Sequence, residues 1–272
     1  MKILNGKDLA EYIKQRQLRS VNGLRQSSGV IPKLAIIQTK DDPVINTYVR
    51  LKKKYGSDIG IEVESHHPTQ TEVKKVIKSL NTDDTVHGII VQLPLDNPDQ
   101  TDEIVNLVVR NKDVDALASK TDFDPATPMA IFWLLAGYNI DLKGKKVIII
   151  GKGKLVGKPL QKMLVNSGID VTVADRQTKD LAALTLDSDV IITATGSPAI
   201  LSSDMIKPGS VIVDAGVATE DGKTVGDLDE SVYEMDDVTL TPKKGGVGPL
   251  TVCSLFENVI KAASNSEHKQ NT

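Results

Sequence analysis

The chain has 272 residues, of which 40% are hydrophobic and 25% charged, so it has the composition of a globular protein and length enough for two domains. Its 33 basic and 36 acidic residues give a net charge of −3, which does not favour nucleic acid as a partner. The single cysteine, and the lack of a signal-peptide core or a run of membrane-spanning length, lead us to expect a cytoplasmic protein with no membrane association.

The first half of the chain alternates between strand and helix patterns. In order, we predict a helix over 7–26, a strand over 34–39, a helix over 44–56, a strand over 61–66, a helix over 71–80, a strand over 88–95 and a helix over 101–110. Short apolar runs separated by helices indicate parallel strands with crossover helices. The proline-containing segment 122–128 interrupts this pattern, so we predict one α/β domain over 1–121 and a second over 122–249.

The second half repeats the alternation more clearly. We predict helices over 129–137 and 157–168, and strands over 145–151, 170–175, 189–196 and 210–217. Consecutive strands joined by short helices are typical of a doubly wound parallel sheet of the Rossmann type. In that topology, ligands bind beyond the carboxyl ends of the strands, so the turns that follow these strands are candidate binding segments.

The turn after strand 145–151 reads Gly-Lys-Gly-Lys-Leu-Val-Gly over 151–157. Glycines let the backbone turn tightly and approach a pyrophosphate, which the positive end of the following helix favours. The spacing is one residue longer than the usual dinucleotide fingerprint, and a glycine-rich turn without a ligand is the simpler alternative. Asp175 and Arg176 end the next strand, where Asp175 suits a ribose hydroxyl and Arg176, with Lys152, suits a 2′-phosphate.

A second candidate cluster lies in the first domain. Tyr48 and Lys52 are four residues apart and share one face of the helix over 44–56, where a partly dehydrated lysine can exchange protons. On this segment alone, Lys52 is better explained as part of a solvated face with Lys53 and Lys54. Gln92 is a single polar residue near the end of a buried strand, which suggests either a ligand contact or a partner for neighbouring backbone.

These segments occur together and in order, and the chain resembles the bifunctional methylenetetrahydrofolate dehydrogenase/cyclohydrolase family, often called FolD. The motifs that carry this resemblance are Ile3–Lys7, Tyr48–Lys52, Val91–Leu95, Lys112–Asp115, Thr127–Pro128, Val156–Pro159, Val225–Asp227 and Gly245–Thr251. The resemblance implies a folate cleft between the two domains, with a C-terminal helix of about 250–266 packing back on the first domain.

The resemblance also implies the reaction. The family oxidises 5,10-methylenetetrahydrofolate to 5,10-methenyltetrahydrofolate with a nicotinamide dinucleotide, and hydrolyses the product to 10-formyltetrahydrofolate, in the one-carbon metabolism that feeds purine biosynthesis. We expect NADP as the cofactor, with NAD possible, tetrahydrofolate derivatives as substrates, no metal, and a homodimer.

Site roles follow from the same resemblance, position by position. Lys52 is assigned as the general acid–base residue, Gln92 holds it in place, Tyr48 packs against the folate and supports Lys52, and Asp115 binds the pterin ring. Three residues are assigned to the border of the folate and the nicotinamide, namely Gly248, Pro249 and Leu250. The dinucleotide is assigned to Gly151, Lys152, Gly153, Arg176 and the backbone of Val217.

The chain departs from the family pattern at several places. Ala116 stands where a glycine is common, Pro-Ala-Thr-Pro replaces Pro-Cys-Thr-Pro over 125–128, and Lys243 and Lys244 replace Val-Pro. Two other functions remain open from the sequence. One is a Rossmann dehydrogenase acting on a small acid, which gives Tyr48 and Lys52 no role, and the other is a folate- or nucleotide-binding module without turnover.

Overall fold

A computed structural model of the chain describes residues 1–220 and 223–270, with side chains described for 1–218 and 225–266. Within these residues the α-helices are α1 (Gly6–Ser28), α2 (Pro43–Ile59), α3 (Val73–Thr82), α4 (Thr101–Val105), α5 (Ala126–Gly137), α6 (Gly157–Asn166), α7 (Leu181–Asp187) and α8 (Val247–Gln270). The strands are β1 (Lys2–Ile3), β2 (Lys33–Ile37), β3 (Glu62–His66), β4 (Gly88–Val91), β5 (Val147–Ile150), β6 (Val171–Ala174), β7 (Val190–Thr193), β8 (Val211–Asp214), β9 (Ala218–Glu220), β10 (Lys223–Val225) and β11 (Thr239–Leu240). None of the described helices is long and apolar enough to cross a membrane.

The chain divides into two compact units. The six-stranded unit contains Met1–Ala10 and Thr127–Thr251, and the three-stranded unit contains Glu11–Ala126 and Val252–Thr272. This division differs from the predicted domain of residues 1–121, because β1 pairs with β11 and so places the first ten residues in the six-stranded unit. A two-residue strand is too short to show a period in the sequence.

The three-stranded unit has a parallel sheet in the order β3-β2-β4. Strand β4 is buried along its whole length, which explains its unbroken apolar run. Helix α2 begins at Pro43, whose fixed φ suits a first helical position, and Asp42 caps it by accepting the N–H groups of the second and third residues. The helix ends at Gly60, which adopts a left-handed conformation with φ of 78°.

The six-stranded unit has a parallel sheet in the order β1-β11-β8-β7-β5-β6. Strands β5 and β7 are fully buried and adjacent. The chain runs from β5 to β6 on one side and then crosses to β7 on the other, so the strand order reverses at β5. In doubly wound sheets this reversal opens a crevice at the carboxyl ends of the two strands, which confirms the predicted Rossmann-type topology and indicates where a ligand binds.

One predicted helix is shorter than expected. The pattern over 101–110 predicts a continuous helix, but α4 ends at Val105. Asn81, at the end of α3, donates its side-chain N–H to the carbonyl of Leu107 at 2.8 Å and accepts the N–H of Val109 at 3.1 Å. Because these backbone groups bond to a side chain from another helix, they do not continue the helical ladder.

Candidate active site

Helix α2 places Lys52 on its buried side. The buried residues of this helix are Ile45, Val49, Gly56 and Ile59, and Lys52 lies three residues after Val49 and four before Gly56. Residues at these spacings share one face of a helix. Lys52 therefore occupies a position where the pattern of the helix calls for an apolar side chain.

The three consecutive lysines of α2 have different environments. Lys52 is partly buried, whereas Lys53 and Lys54 are exposed. The ammonium of Lys52 donates a hydrogen bond to Oε1 of Gln92 at 2.8 Å. Tyr48, one turn earlier on the helix, is exposed over 40% of its surface, so its ring is open to a ligand. The structure thus brings Lys52 and Gln92 into contact and separates Lys52 from the solvated face.

Burial and the opposite charge of the partner shift the pKa values of Lys52 and Asp115 in opposite directions. Burial lowers the pKa of Lys52, and the negative charge of Asp115 offsets part of this effect. Burial likewise raises the pKa of Asp115, with the positive charge of Lys52 acting in the opposite direction. Both shifts arise because protein atoms around a charged group replace its hydration. A lysine with a lowered pKa can lose and regain a proton closer to neutral pH, which suits a general acid–base residue.

The loop that carries Asp115 is held by buried polar groups. The carbonyl of the preceding residue, Val114, accepts a hydrogen bond from the side chain of Asn258 at 2.9 Å. The carboxylate of Asp113 accepts two backbone N–H groups further along the loop, at 3.3 and 3.0 Å. Ala116, which directly follows Asp115, adopts a left-handed conformation with φ of 55°, which explains why a glycine suits this position.

In the six-stranded unit, the glycine turn lies at the carboxyl end of β5. Gly151 has φ of 108°, and a β-carbon there would lie 2.5 Å from the carbonyl oxygen of Ala194, beyond the end of β7. A β-carbon on Gly157 would lie 1.8 Å from the carbonyl oxygen of Gly151. Gly153, by contrast, has no described atom within 4 Å of that position. Two glycines are therefore required by the fold, and the third leaves open space beside the turn.

The N-terminus of α6 follows this turn, and its cap residue provides no side-chain acceptor. Val156 occupies the cap position and makes no side-chain hydrogen bond to the helix. The first N–H groups of a helix need acceptors, and an anionic ligand supplies them. The open space at Gly153 and the uncapped helix together fit the pyrophosphate of a dinucleotide.

The residues after β6 adopt a tight turn that occupies the acidic side chain. The carboxylate of Asp175 accepts the N–H of Gln177 at 2.9 Å, and the N–H of Asp175 donates to the hydroxyl of Thr178 at 2.9 Å. Arg176 and Lys152 are exposed. A carboxylate engaged in its own turn is less available to a ribose, while the two cations remain accessible to a phosphate.

Two of the motifs noted in the sequence form one packed structure. Gly6, at the start of α1, lies so close to the turn before α8 that a β-carbon would be 1.8 Å from the carbonyl oxygen of Gly246. The N–H of Lys7 donates to the carbonyl of Gly245 at 3.0 Å, and Gly245 has φ of 87°. The opening motif and the glycine motif before α8 therefore pack directly against each other, and each holds the backbone of the other in position.

The first turn of α8 is unevenly exposed. A β-carbon placed on Gly248 would meet no described atom within 4 Å, and Pro249 is partly buried, but Leu250 is fully buried. A ligand at this turn meets the backbone of Gly248 and the ring of Pro249 before the side chain of Leu250. Val217 is 59% exposed, and its carbonyl oxygen would lie 3.1 Å from a β-carbon on Gly196.

Two aspartates in this unit, one partly and one fully buried, have no predicted role. Asp214 ends β8 and Asp227 follows β10, and Asp227 is completely buried. The signal for Asp214 is a charged residue that closes an apolar strand, but Asp227 has no comparable signal beyond its place in the motif Val225–Asp227. Among the described residues, no group of three or more His, Cys, Asp or Glu side chains is placed to hold a metal ion.

The doubly wound sheet, the glycine turn at its strand reversal and a separate α/β unit with a buried lysine define a dinucleotide-binding α/β protein with a second domain. Family comparisons agree. The catalytic domain of tetrahydrofolate dehydrogenase/cyclohydrolase matches residues 4–115, and the NAD(P)-binding domain of the same family matches residues 125–267. The chain therefore belongs to the tetrahydrofolate dehydrogenase/cyclohydrolase family.

Individual relatives cover almost the whole chain. The bifunctional protein FolD of Campylobacter jejuni (strain RM1221) is 40% identical over 280 residues, which cover 97% of this chain and 99% of the relative. The crystal structure of the bifunctional FolD dehydrogenase/cyclohydrolase from Campylobacter jejuni has a TM-score of 0.91 at 40% identity, with 97% of this chain and 99% of that chain covered. The Trypanosoma brucei FolD structure, complexed with NADP and an inhibitor, has a TM-score of 0.90 at 27% identity, covering 97% of each chain.

Proposed function

We propose that the protein oxidises 5,10-methylenetetrahydrofolate to 5,10-methenyltetrahydrofolate with NADP and then hydrolyses the product to 10-formyltetrahydrofolate. The observation that carries this proposal is the hydrogen bond between the ammonium of Lys52 and Gln92, with the charge of Asp115 nearby. Burying a lysine costs stability, so such a residue is a candidate for a functional role, and membership of the family indicates acid–base chemistry on a folate.

Lys52 supplies proton transfers in the hydrolytic step. Its neutral amine accepts a proton as water adds to the methenyl carbon, and the ammonium then returns that proton to the folate nitrogen that leaves the carbon. The remaining hydroxyl proton of the adduct passes to solvent as the formyl C=O bond forms. Gln92 fixes the direction of the amine through its side-chain oxygen. The lowered pKa of Lys52 makes the neutral form accessible, which an ordinary exposed lysine does not offer near neutral pH.

We assign folate recognition to residues near this pair. The carboxylate of Asp115 accepts hydrogen bonds from the N–H groups of the pterin, and Tyr48 presents an exposed ring against which the folate packs. The role of Gly248 and Pro249 at the folate and nicotinamide follows the family resemblance, and the burial of Leu250 limits that residue to a supporting contact.

Dinucleotide binding is assigned to the six-stranded unit. A bound NADP would supply the acceptor for the hydride that leaves the methylene carbon. Gly151 and Gly153, with the uncapped start of α6, take the pyrophosphate, and Val217 offers backbone groups to the nicotinamide half. Lys152 and Arg176 favour NADP over NAD because they supply two cations for the 2′-phosphate.

One experiment separates this proposal from the two alternatives. Purified protein is mixed with methylenetetrahydrofolate and either NADP or NAD, and the appearance of reduced dinucleotide and of methenyl- and formyltetrahydrofolate is followed. The proposal predicts reduction of NADP in preference to NAD, followed by the formyl product. A dehydrogenase for another small acid gives no reduction with this substrate, and a binding module gives ligand binding without turnover.

The assembly of the protein is a proposal from the family resemblance, and its location is a proposal from the composition of the sequence. We infer a homodimer, which sedimentation of the purified protein tests directly. We also infer a cytoplasmic enzyme without a nucleic-acid partner, which cell fractionation and a binding assay with DNA and RNA test.

A further inference from the structure

Asp214 and Asp227 form a chain of hydrogen bonds beneath the carboxyl edge of the six-stranded sheet. The carboxylate of Asp227 accepts the backbone N–H of Thr195 at 2.7 Å and that of Ser197 at 3.0 Å. The backbone N–H of Asp227 donates to the carboxylate of Asp214 at 2.9 Å. That second carboxylate also accepts the N–H of Gly216 at 2.9 Å. Two side chains therefore tie together three loops that lie far apart in the sequence.

Close packing shows that these contacts are built into the fold. A β-carbon on Gly216 would lie 2.0 Å from the carboxylate of Asp227, and one on Gly226 would lie 2.0 Å from the carboxylate of Asp214. Each carboxylate thus sits against a glycine of the neighbouring loop. The hydroxyl of Thr193, at the end of β7, donates a further hydrogen bond to Asp214 at 2.9 Å.

Two of these three loops, those after β7 and β8, border the candidate dinucleotide site. Gly151 lies against the carbonyl of Ala194, and Gly196 lies against the carbonyl of Val217, so the glycine turn, the loop after β7 and the loop after β8 are in contact. In a doubly wound sheet, the ligand lies on these loops at the strand reversal. The carboxylates accept hydrogen bonds from backbone N–H groups of these two loops. These bonds fix the conformation of the loops, and so also the positions of the backbone groups that face the ligand site.

We propose that Asp214 and Asp227 are positioning residues for the dinucleotide, which hold the loops after β7 and β8 in the arrangement that binds it. The inference rests on the proposed function, since it concerns the dinucleotide site of the same enzyme. It differs from a general structural role because Lys52, Gln92 and Asp115, which are assigned to the hydrolytic step, belong to the other unit. Loss of the carboxylate chain should weaken dinucleotide binding and spare the hydrolysis of added methenyltetrahydrofolate.

The test uses Asp227→Asn in the full chain. Asparagine has nearly the same shape as aspartate, but it has one side-chain oxygen where the N–H groups of Thr195 and Ser197 each need one. One of these N–H groups would therefore face the amide NH₂ of the asparagine and lose its hydrogen bond. Binding of NADP and NADPH is measured by fluorescence titration, hydrolysis of methenyltetrahydrofolate is measured without dinucleotide, and thermal unfolding is recorded. We expect the dissociation constant to rise about tenfold or more, as loss of a charged hydrogen bond predicts, with hydrolysis unchanged.

Asp229→Asn is the matched control, because the carboxylate of Asp229 accepts the N–H and the hydroxyl of Ser231 at the start of a short helix of the same unit. If Asp227→Asn does not fold, Thr193→Val removes one donor to Asp214 while leaving the backbone contacts, and a smaller rise is expected. Unchanged dinucleotide binding in the folded variants overturns the inference, as does an equal loss of binding and hydrolysis. A wild-type protein that binds no dinucleotide overturns the proposed function itself.

Discussion

Replacing Lys52 with methionine should separate the two activities of the enzyme. Methionine keeps the length and the apolar stem of the side chain but removes the amine that contacts Gln92. Hydrolysis of methenyltetrahydrofolate needs proton transfers, whereas hydride transfer mainly needs the two reacting rings to be aligned. The variant should therefore lose hydrolysis, retain measurable dehydrogenase activity and release the methenyl compound.

The size of the effect distinguishes acid–base chemistry from packing. Loss of a general acid–base group lowers a rate by about 10²–10⁴-fold, which corresponds to roughly 3–5 kcal/mol. The hydrogen bond from the charged amine to Gln92 contributes roughly 1.5–3 kcal/mol to stability, and the cost of burying that charge offsets it. Because burial already disfavours the charged form of Lys52, removing its charge should not destabilise the fold. A drop of several hundredfold with a normal unfolding transition can then be assigned to the missing amine.

The assay supplies methenyltetrahydrofolate directly and follows its loss, with dehydrogenase activity measured in parallel. Lys53→Met is the matched control, since Lys53 is the adjacent lysine on the same helix and is exposed. Lys54→Met is a second control, because Lys54 is exposed and forms a surface ion pair with Asp58. Normal hydrolysis in Lys52→Met would refute the assigned role, and an equal loss in all three variants would point to a surface effect of positive charge.

Three further predictions concern the neighbouring sites. The charge of Asp115 raises the pKa of Lys52, so Asp115→Asn should lower that pKa further. The hydrolysis rate should then rise at a lower pH than in the wild type, and both activities should fall. A pH–rate profile without that shift would contradict the coupling between the two residues. Arg176→Ala should raise the KM for NADP more than the KM for NAD, and an unchanged ratio in steady-state kinetics would remove Arg176 from the site. Ala116→Gly should increase the free energy of unfolding by about 1 kcal/mol, because glycine tolerates the φ of 55°, and denaturant titration should show a higher midpoint.

Long apolar runs carry most of the fold information in the sequence. Strands β2, β4, β5, β7 and β8 coincide with predicted runs because buried parallel strands are apolar along their length. The strands β1 and β11 lie outside every predicted strand, since each has two residues and their pairing joins distant parts of the chain. Pairing of that kind is set by tertiary contacts, which leave no periodic pattern in a short segment.

The buried position of Lys52 is encoded in the spacing of helix α2. Counting back from Ile59 and Gly56 by the spacing of a helix face leads to Lys52 and then to Val49 and Ile45. A single charged residue on an otherwise apolar face is more informative than membership of a run of three lysines. The run suggests a solvated surface, and only the spacing separates its first member from the other two.

Asp227 could not be found in the same way, and the reason lies in its partners. Its carboxylate binds the backbone N–H groups of Thr195 and Ser197, which any residue other than proline supplies. Its own N–H binds a carboxylate that ends a strand earlier in the chain. Because these interactions use backbone groups brought together from separate loops, Thr195 and Ser197 need no particular side chain and no particular spacing from Asp227. Asp227 is completely buried and both of its carboxylate oxygens accept hydrogen bonds, but this is visible only in the folded chain. There it identifies the loops after β7 and β8 as segments whose positions depend on side-chain contacts as well as on the sheet.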